Sequence, residues 1–236
     1  MNIHIFGHSI CLQSKSNIPS FTDILATRYD IKPHQLHISL CGSEERILYF
    51  LKKVKEPIDM AIIFHGDPGL VFVPPLDRDM HPYALDSAFW DNTSNNVLNY
   101  FENVTKDKSE TALQKVSLAD FKKAYEYFLK YFYTKDLNTN RHYGALIQID
   151  QYLKYKNIPA IHCVLEYTMP TWFTFTSGIV DTEITQMQHA SSIYRCDKRL
   201  SQNKINEEGN KLIAAKLINY ITNWRGGLDS NQHRTL

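Results

Sequence analysis

An excess of charge of either sign is the first thing missing from this sequence. Twenty-six Lys and Arg stand against 25 Asp and Glu, a formal charge of +1 over 236 residues. Without a basic or acidic field there is no electrostatic footprint for nucleic acid or an anionic membrane, and neither partner is expected. Long apolar runs are missing too. Stretches such as Ala61-Ile62-Ile63-Phe64 fall far short of the about 20 residues that span a bilayer. The opening segment is interrupted by His4 and Gly7, so it is not expected to act as a secretory signal, and the sequons at Asn92 and Asn103 carry little weight. Cysteine is sparse: Cys11, Cys41, Cys163 and Cys196 form no C-x-x-C pair and have no His at a metal-ligand offset. Free thiols in a reducing, cytoplasmic setting fit that pattern, and neither a metal nor a cofactor is expected. The glycine-rich run that cradles phosphates is also lacking, and no Lys-Ser or Lys-Thr follows the first strand.

What is present is an alternation of short apolar runs with longer amphipathic ones. This predicts βαβ units, a parallel sheet and an α/β fold. Strands are expected over Ile3–Phe6, Gln35–Leu40, Asp59–Phe64 and Ile158–Leu165, with Trp172–Phe175 as a fifth. The third is apolar enough to be buried on both faces. Helices are expected over Ser20–Tyr29, Glu44–Lys55, Leu118–Tyr133, Tyr143–Tyr155 and Asn206–Trp224. The last is expected to turn Leu212, Ile213, Ala215, Leu217, Ile218 and Ile221 inward, and Phe121, Tyr125, Phe128, Leu129 and Phe132 form an aromatic core stripe on the third. Between residues 66 and 117 the periodicity fades among Pro68, Pro74, Pro75 and Pro82, the mark of a lid or insertion with short elements of its own. The chain thus reads as a single domain over residues 1–224 followed by a polar, frayed tail over 225–236.

The first strand runs into Gly7-His8-Ser9. A strand ending in Gly-x-Ser can hold a serine hydroxyl above the C-terminal edge of a sheet, which makes Ser9 a candidate nucleophile. The plainer alternative is a turn at Gly7 with Ser9 as a helix cap. With strand order 2-1-3-4-5, this loop adjoins Cys41-Gly42-Ser43 after strand two and His65-Gly66-Asp67 after strand three. The N–H groups of Gly42 and Ser9 then form a donor pair for an oxyanion, and Asp67 or His65 completes the pocket. Each loop also has a plain reading, since Ser43-Glu44-Glu45 is a good helix start and His65-Gly66-Asp67-Pro68-Gly69 a good turn.

Gly-x-Ser after strand one, Gly42 after strand two, a polar loop after strand three and a closing helix opening Asn206-Glu207-Glu208-Gly209-Asn210-Lys211-Leu212-Ile213-Ala214 together resemble the SGNH/GDSL hydrolases. The similarity runs over residues 1–223, as pattern more than identity outside the first loop and last helix. It implies a flavodoxin-like α/β/α sandwich and a serine esterase or O-acetyl esterase acting on a small-molecule or carbohydrate ester. Ser9 then takes the nucleophile position, and Gly42 with the Ser9 backbone takes the oxyanion hole. Asp67, or else His65, stands where the family has an Asn. The family's Asp-x-x-His falls on Ser201 and Lys204, and its Asp after the first Gly is His8. Four marked positions therefore differ. The base for Ser9 is left to Lys204 with a depressed pKa, to His189 with Asp181 or Asp197, or to His8 or His65. A binding module that keeps the fold and pocket without turnover is the other reading, with Trp90, Trp172 and Tyr167 as stacking surfaces unless they pack in the core.

Overall fold

In a computed structural model of the chain, residues 1–7, 19–38, 43–66, 71–73, 78–80, 134–164, 169–184 and 207–232 are described, together with positions 123, 124, 127, 130 and 131. Five strands form one parallel sheet: β1 (Ile3–Gly7), β2 (Leu36–Ile38), β3 (Met60–Phe64), β6 (Ala160–Cys163) and β7 (Gly178–Asp181), in the order β2-β1-β3-β6-β7. Counting only these strands, that is the expected 2-1-3-4-5. Two short antiparallel strands, β4 (Val71–Val73) and β5 (Arg78–Met80), lie within the expected insertion.

Both faces of the sheet are covered, giving three layers. Ile3, Ile5, Ile62 and Ile161 pack against α1 (Phe21–Tyr29) and α4 (Glu207–Gln232) on one face. Phe6, Ala61, Ile63 and Ala160 pack against α2 (Glu44–Lys53) and α3 (Lys135–Tyr155) on the other. Every residue of β1 and β3 is buried, as a strand clad on both sides requires. Local signals set the helix starts. Ser20 and Asp23 form a capping box on α1, with the Ser20 hydroxyl accepting the Asp23 N–H at 3.1 Å, and the Ser43 hydroxyl accepts the Arg46 N–H at 3.3 Å on α2.

Three expectations are corrected. The fifth strand is Gly178–Asp181 and not Trp172–Phe175. The earlier segment is held as a turn, because the Asp150 carboxylate takes the backbone N–H groups of Thr176 and Ser177, each at 2.8 Å. The strand starts where a residue without Cβ is available, since a Cβ on Gly178 would sit 1.8 Å from the Ala160 carbonyl oxygen. Helix α3 begins at Lys135 rather than Tyr143. Thr134 caps it, and the polar stretch to Arg141 is anchored by a two-pronged Arg141–Glu45 pair at 2.6 and 2.8 Å. The closing helix continues past Trp224 to Gln232, over residues expected to fray, and buries Ile213, Ala214, Leu217 and Ile221 while Leu212 and Ala215 face outward. The proposed aromatic stripe of the 118–133 helix lies outside the described residues.

Gly7 closes β1 with φ of +137°, and a Cβ there would meet the Phe64 carbonyl oxygen at 2.3 Å. Gly7→Ala is expected to cost about 2 kcal/mol or more, read as a lower urea midpoint. A second expectation concerns acid. Burial lowers the pKa of His4 and His162 and brings His37 down to about 4 from its ordinary 6.5. These rings take up protons in the unfolded chain before they do so in the fold. Stability is therefore fully present above pH 6.5 and falls as the pH drops from about 6.5 toward 4. Thermal midpoints should decline by several degrees from pH 7 to pH 5, with a shallower slope in His37→Phe.

Candidate functional site

The register of the parallel sheet places Ile38, Gly7, Phe64, Cys163 and Asp181 in one row across its C-terminal edge. All five strands end level there. The loops carrying the sequence-derived site residues depart from that row: His8 and Ser9 from Gly7, Gly42 from the end of β2, Asp67 from the end of β3. The order reversal between β1 and β3, where open α/β sheets bind ligands, falls in the middle of the row. His8, Ser9, Gly42, Asp67 and Lys204 themselves lie outside the described residues, as do His189 and Asp197. His65 is described.

One side chain ties two of these loops together. Glu44 opens α2 directly after Gly42-Ser43, and its carboxylate is fully buried. Its Oε2 lies 2.7 Å from His65 Nδ1, and its Oε1 accepts the Gly66 N–H at 2.8 Å. Burial by itself would raise the Glu44 pKa, but the charge and hydrogen bond of His65, with His142 and the Gly66 N–H, hold it below the ordinary carboxylate value. An ionised carboxylate only accepts, so His65 Nδ1 carries the proton. The other nitrogen of His65, Nε2, is 2.9 Å from His162 Nδ1, and His162 Nε2 is 2.9 Å from the Ser177 hydroxyl. Phe175 stacks on His162 at 3.7 Å between ring centroids and covers the pair. With both nitrogens engaged and its side chain 1 % exposed, His65 acts here as a holder of the strand-three loop; no nitrogen is left to accept a proton from a serine at the edge.

At the far end of the row, Asp181 is also committed. It accepts the Ile184 N–H at 2.7 Å, the Tyr220 hydroxyl at 2.6 Å and Lys216 Nζ at 2.7 Å. Burial opposes the charge of Asp181, yet these donors keep its pKa low. Tyr220 is pushed up to about 12 by burial and by the Asp181 carboxylate. Cys163 is a free, buried thiol whose pKa burial drives well above the ordinary value, which makes it a poor nucleophile. The closing-helix motif has a packing role as well: Asn210 Oδ1 accepts the Phe21 N–H at 2.9 Å and fixes the start of α1 to α4. Trp172 is 66 % exposed and meets Tyr143 edge-on at 5.9 Å, so it is not a core residue; Trp90 and Tyr167 lie outside the described residues.

Sequence reasoning named His65 but took Glu44 as a favourable charge in a first helical turn, and it missed His162 and Ser177. The available signal was a histidine inside the apolar strand Ala160-Ile161-His162-Cys163, which demands a buried partner. Among the described residues no three His, Cys, Asp or Glu side chains are placed to share a metal ion, and no helix is long and apolar enough to cross a membrane.

Removing Glu44 would strand the Nδ1–H of His65 and the N–H of Gly66 in a buried site. Glu44→Ala is expected to lower unfolding free energy by about 3–5 kcal/mol, measured by urea denaturation. The conservative Glu44→Gln should cost less than half as much.

No protein-family model matches this chain, and no curated protein or solved structure matches it either.

Proposed function

We propose that the chain is a serine ester hydrolase of the SGNH/GDSL type, acting at the C-terminal edge of its parallel sheet. The observation that carries this reading is the level row Ile38–Gly7–Phe64–Cys163–Asp181. The strands β1, β2 and β3, which Ser9, Gly42 and Asp67 follow in sequence, are neighbours in that row, and Glu44 ties the start of α2 to the end of β3. In this reaction the Ser9 oxygen attacks the carbonyl carbon of a small-molecule or carbohydrate ester. The N–H groups of Ser9 and Gly42 stabilise the tetrahedral oxyanion, and collapse expels the alcohol. His65 is committed to Glu44 and His162, so the proton of Ser9 goes to Lys204, His8 or His189. Of these, Lys204 occupies the position where the resembled family has its histidine.

A binding module on the same fold is the second reading, favoured by Trp172. An indole 66 % exposed, with Tyr143 at its edge, is a stacking surface for an apolar or sugar ring. The two readings divide on one experiment. Under the hydrolase reading, purified protein releases p-nitrophenol from the acetate ester, and Ser9→Ala lowers kcat by about 10⁴ or more. Absence of release by the wild type, with a ligand-induced thermal shift that Trp172→Ala abolishes, establishes the binding module instead.

A further inference from the structure

The hydrogen-bond chain that begins at Glu44 does not end at the candidate site. It crosses the α2/α3 face of the sheet and emerges at Ser177, directly before β7, on the edge opposite the row of strand ends. Glu44 accepts, so His65 donates from Nδ1. In the form with one proton on each ring, His65 Nε2 accepts from His162 Nδ1, and His162 Nε2 accepts the hydroxyl proton of Ser177 at 2.9 Å. A serine hydroxyl donating to an imidazole that is itself oriented through a carboxylate is the arrangement of an activated nucleophile, here with two imidazoles in series.

A proton added to that form of the chain reverses the Ser177–His162 and His162–His65 hydrogen bonds without moving a heavy atom. A proton arriving on His162 Nε2 releases the Nδ1 proton to His65 Nε2, and the positive charge comes to rest beside the Glu44 carboxylate at 2.7 Å. The weak basicity that burial imposes on His162 is thereby bypassed, since His162 passes the charge on. Ser177 is half-buried and follows Thr174 and Thr176, which are exposed, and Trp172 is exposed nearby in the chain. Reagents in solvent therefore have an approach to this end of the chain.

We propose that Ser177 is a reactive serine, distinct from Ser9, that takes an acyl or phosphonyl group from an activated donor while its proton passes through His162 to His65. With an alkyl fluorophosphonate the Oγ–P bond forms and the P–F bond breaks. Fluoride leaves with the bonding pair, and the hydroxyl proton goes to His162 Nε2 as the Nδ1 proton moves to His65 Nε2. The Ser177 N–H, which a turnover site would aim at an oxyanion, is already given to Asp150 at 2.8 Å. The site accordingly takes up one group and holds it.

The test is labelling with an alkyl fluorophosphonate, with adducts located by peptide mass spectrometry in the Ser9→Ala protein. The expected result is a single stoichiometric adduct on Ser177. It should form at least tenfold faster in the native protein than in the urea-unfolded chain, and at least tenfold slower in folded His162→Phe or Glu44→Gln. No adduct on Ser177, or one that forms equally fast in the unfolded chain, overturns the proposal even if both variants fail to fold. An equal rate in a folded variant overturns it too. An adduct confined to Ser9 in the wild type supports the hydrolase reading and refutes this one; ester turnover lost in Ser9→Ala while the Ser177 adduct persists separates the two sites.

Discussion

A carboxylate buried to the last oxygen has to be met by donors, and Glu44 imposes that condition on three parts of the fold at once. It fixes the first turn of α2, the ring of His65 and the backbone of Gly66, because an ionised acceptor in an apolar layer is tolerated only when its lone pairs are occupied. The rest follows in sequence. His65 can point only one nitrogen at Glu44, His162 must serve the other, and Ser177 must serve His162. One charge near the end of β3 thus anchors a hydrogen-bond chain that reaches the start of β7.

The two faces of the sheet divide the work. The face toward α1 and α4 is apolar along most of its length, and polar groups meet it at the ends, through Asn210 at the start of α1 and Asp181 with Tyr220 and Lys216. The face toward α2 and α3 carries the histidines, His4 and His37 near one edge and His65 and His162 near the other. Such a layer is acid-sensitive, because burial holds His4, His37 and His162 below their ordinary pKa. Close backbone approach complements it: Gly7 against Phe64 and Gly178 against Ala160 let strands begin or end where a side chain would collide.

Most of the architecture was legible because it rests on local signals. Ile3, Ile5 and Phe6, then Ala61 to Phe64, are apolar in the manner of doubly covered strands. Ser20 with Asp23, and Ser43 before two acidic residues, announce helix starts. The errors fall where a distant group decides. Trp172–Phe175 has the composition of a strand, but Asp150 on α3 captures the following amides and delays the strand to Gly178. Lys135–Arg141 shows no inward stripe, yet Thr134 and Glu45 make it helix. The inward face of α4 was rotated by about one residue, placing Ala215 inside where Ala214 packs, because periodicity gives a stripe's width better than its centre. The candidate site was legible as a set of loops and not as a set of contacts. Gly7, Gly42 and His65 follow apolar runs visibly, whereas Glu44 reaching His65 across 21 residues, and His65 reaching His162 across 97, leave no periodic trace.

The sequence alone determined the alternation of strand and helix, the three-layer α/β class and the identity of the residues that follow each strand, because propensity, capping and hydrophobic pattern act over a few neighbours. Tertiary structure decided what those residues do. It levelled five strand ends into one row, buried Glu44, spent both nitrogens of His65 on neighbours and handed the free end of the chain to Ser177. These outcomes depend on strand register and on the cost of an unpaired buried charge, and both are set only when distant segments pack together.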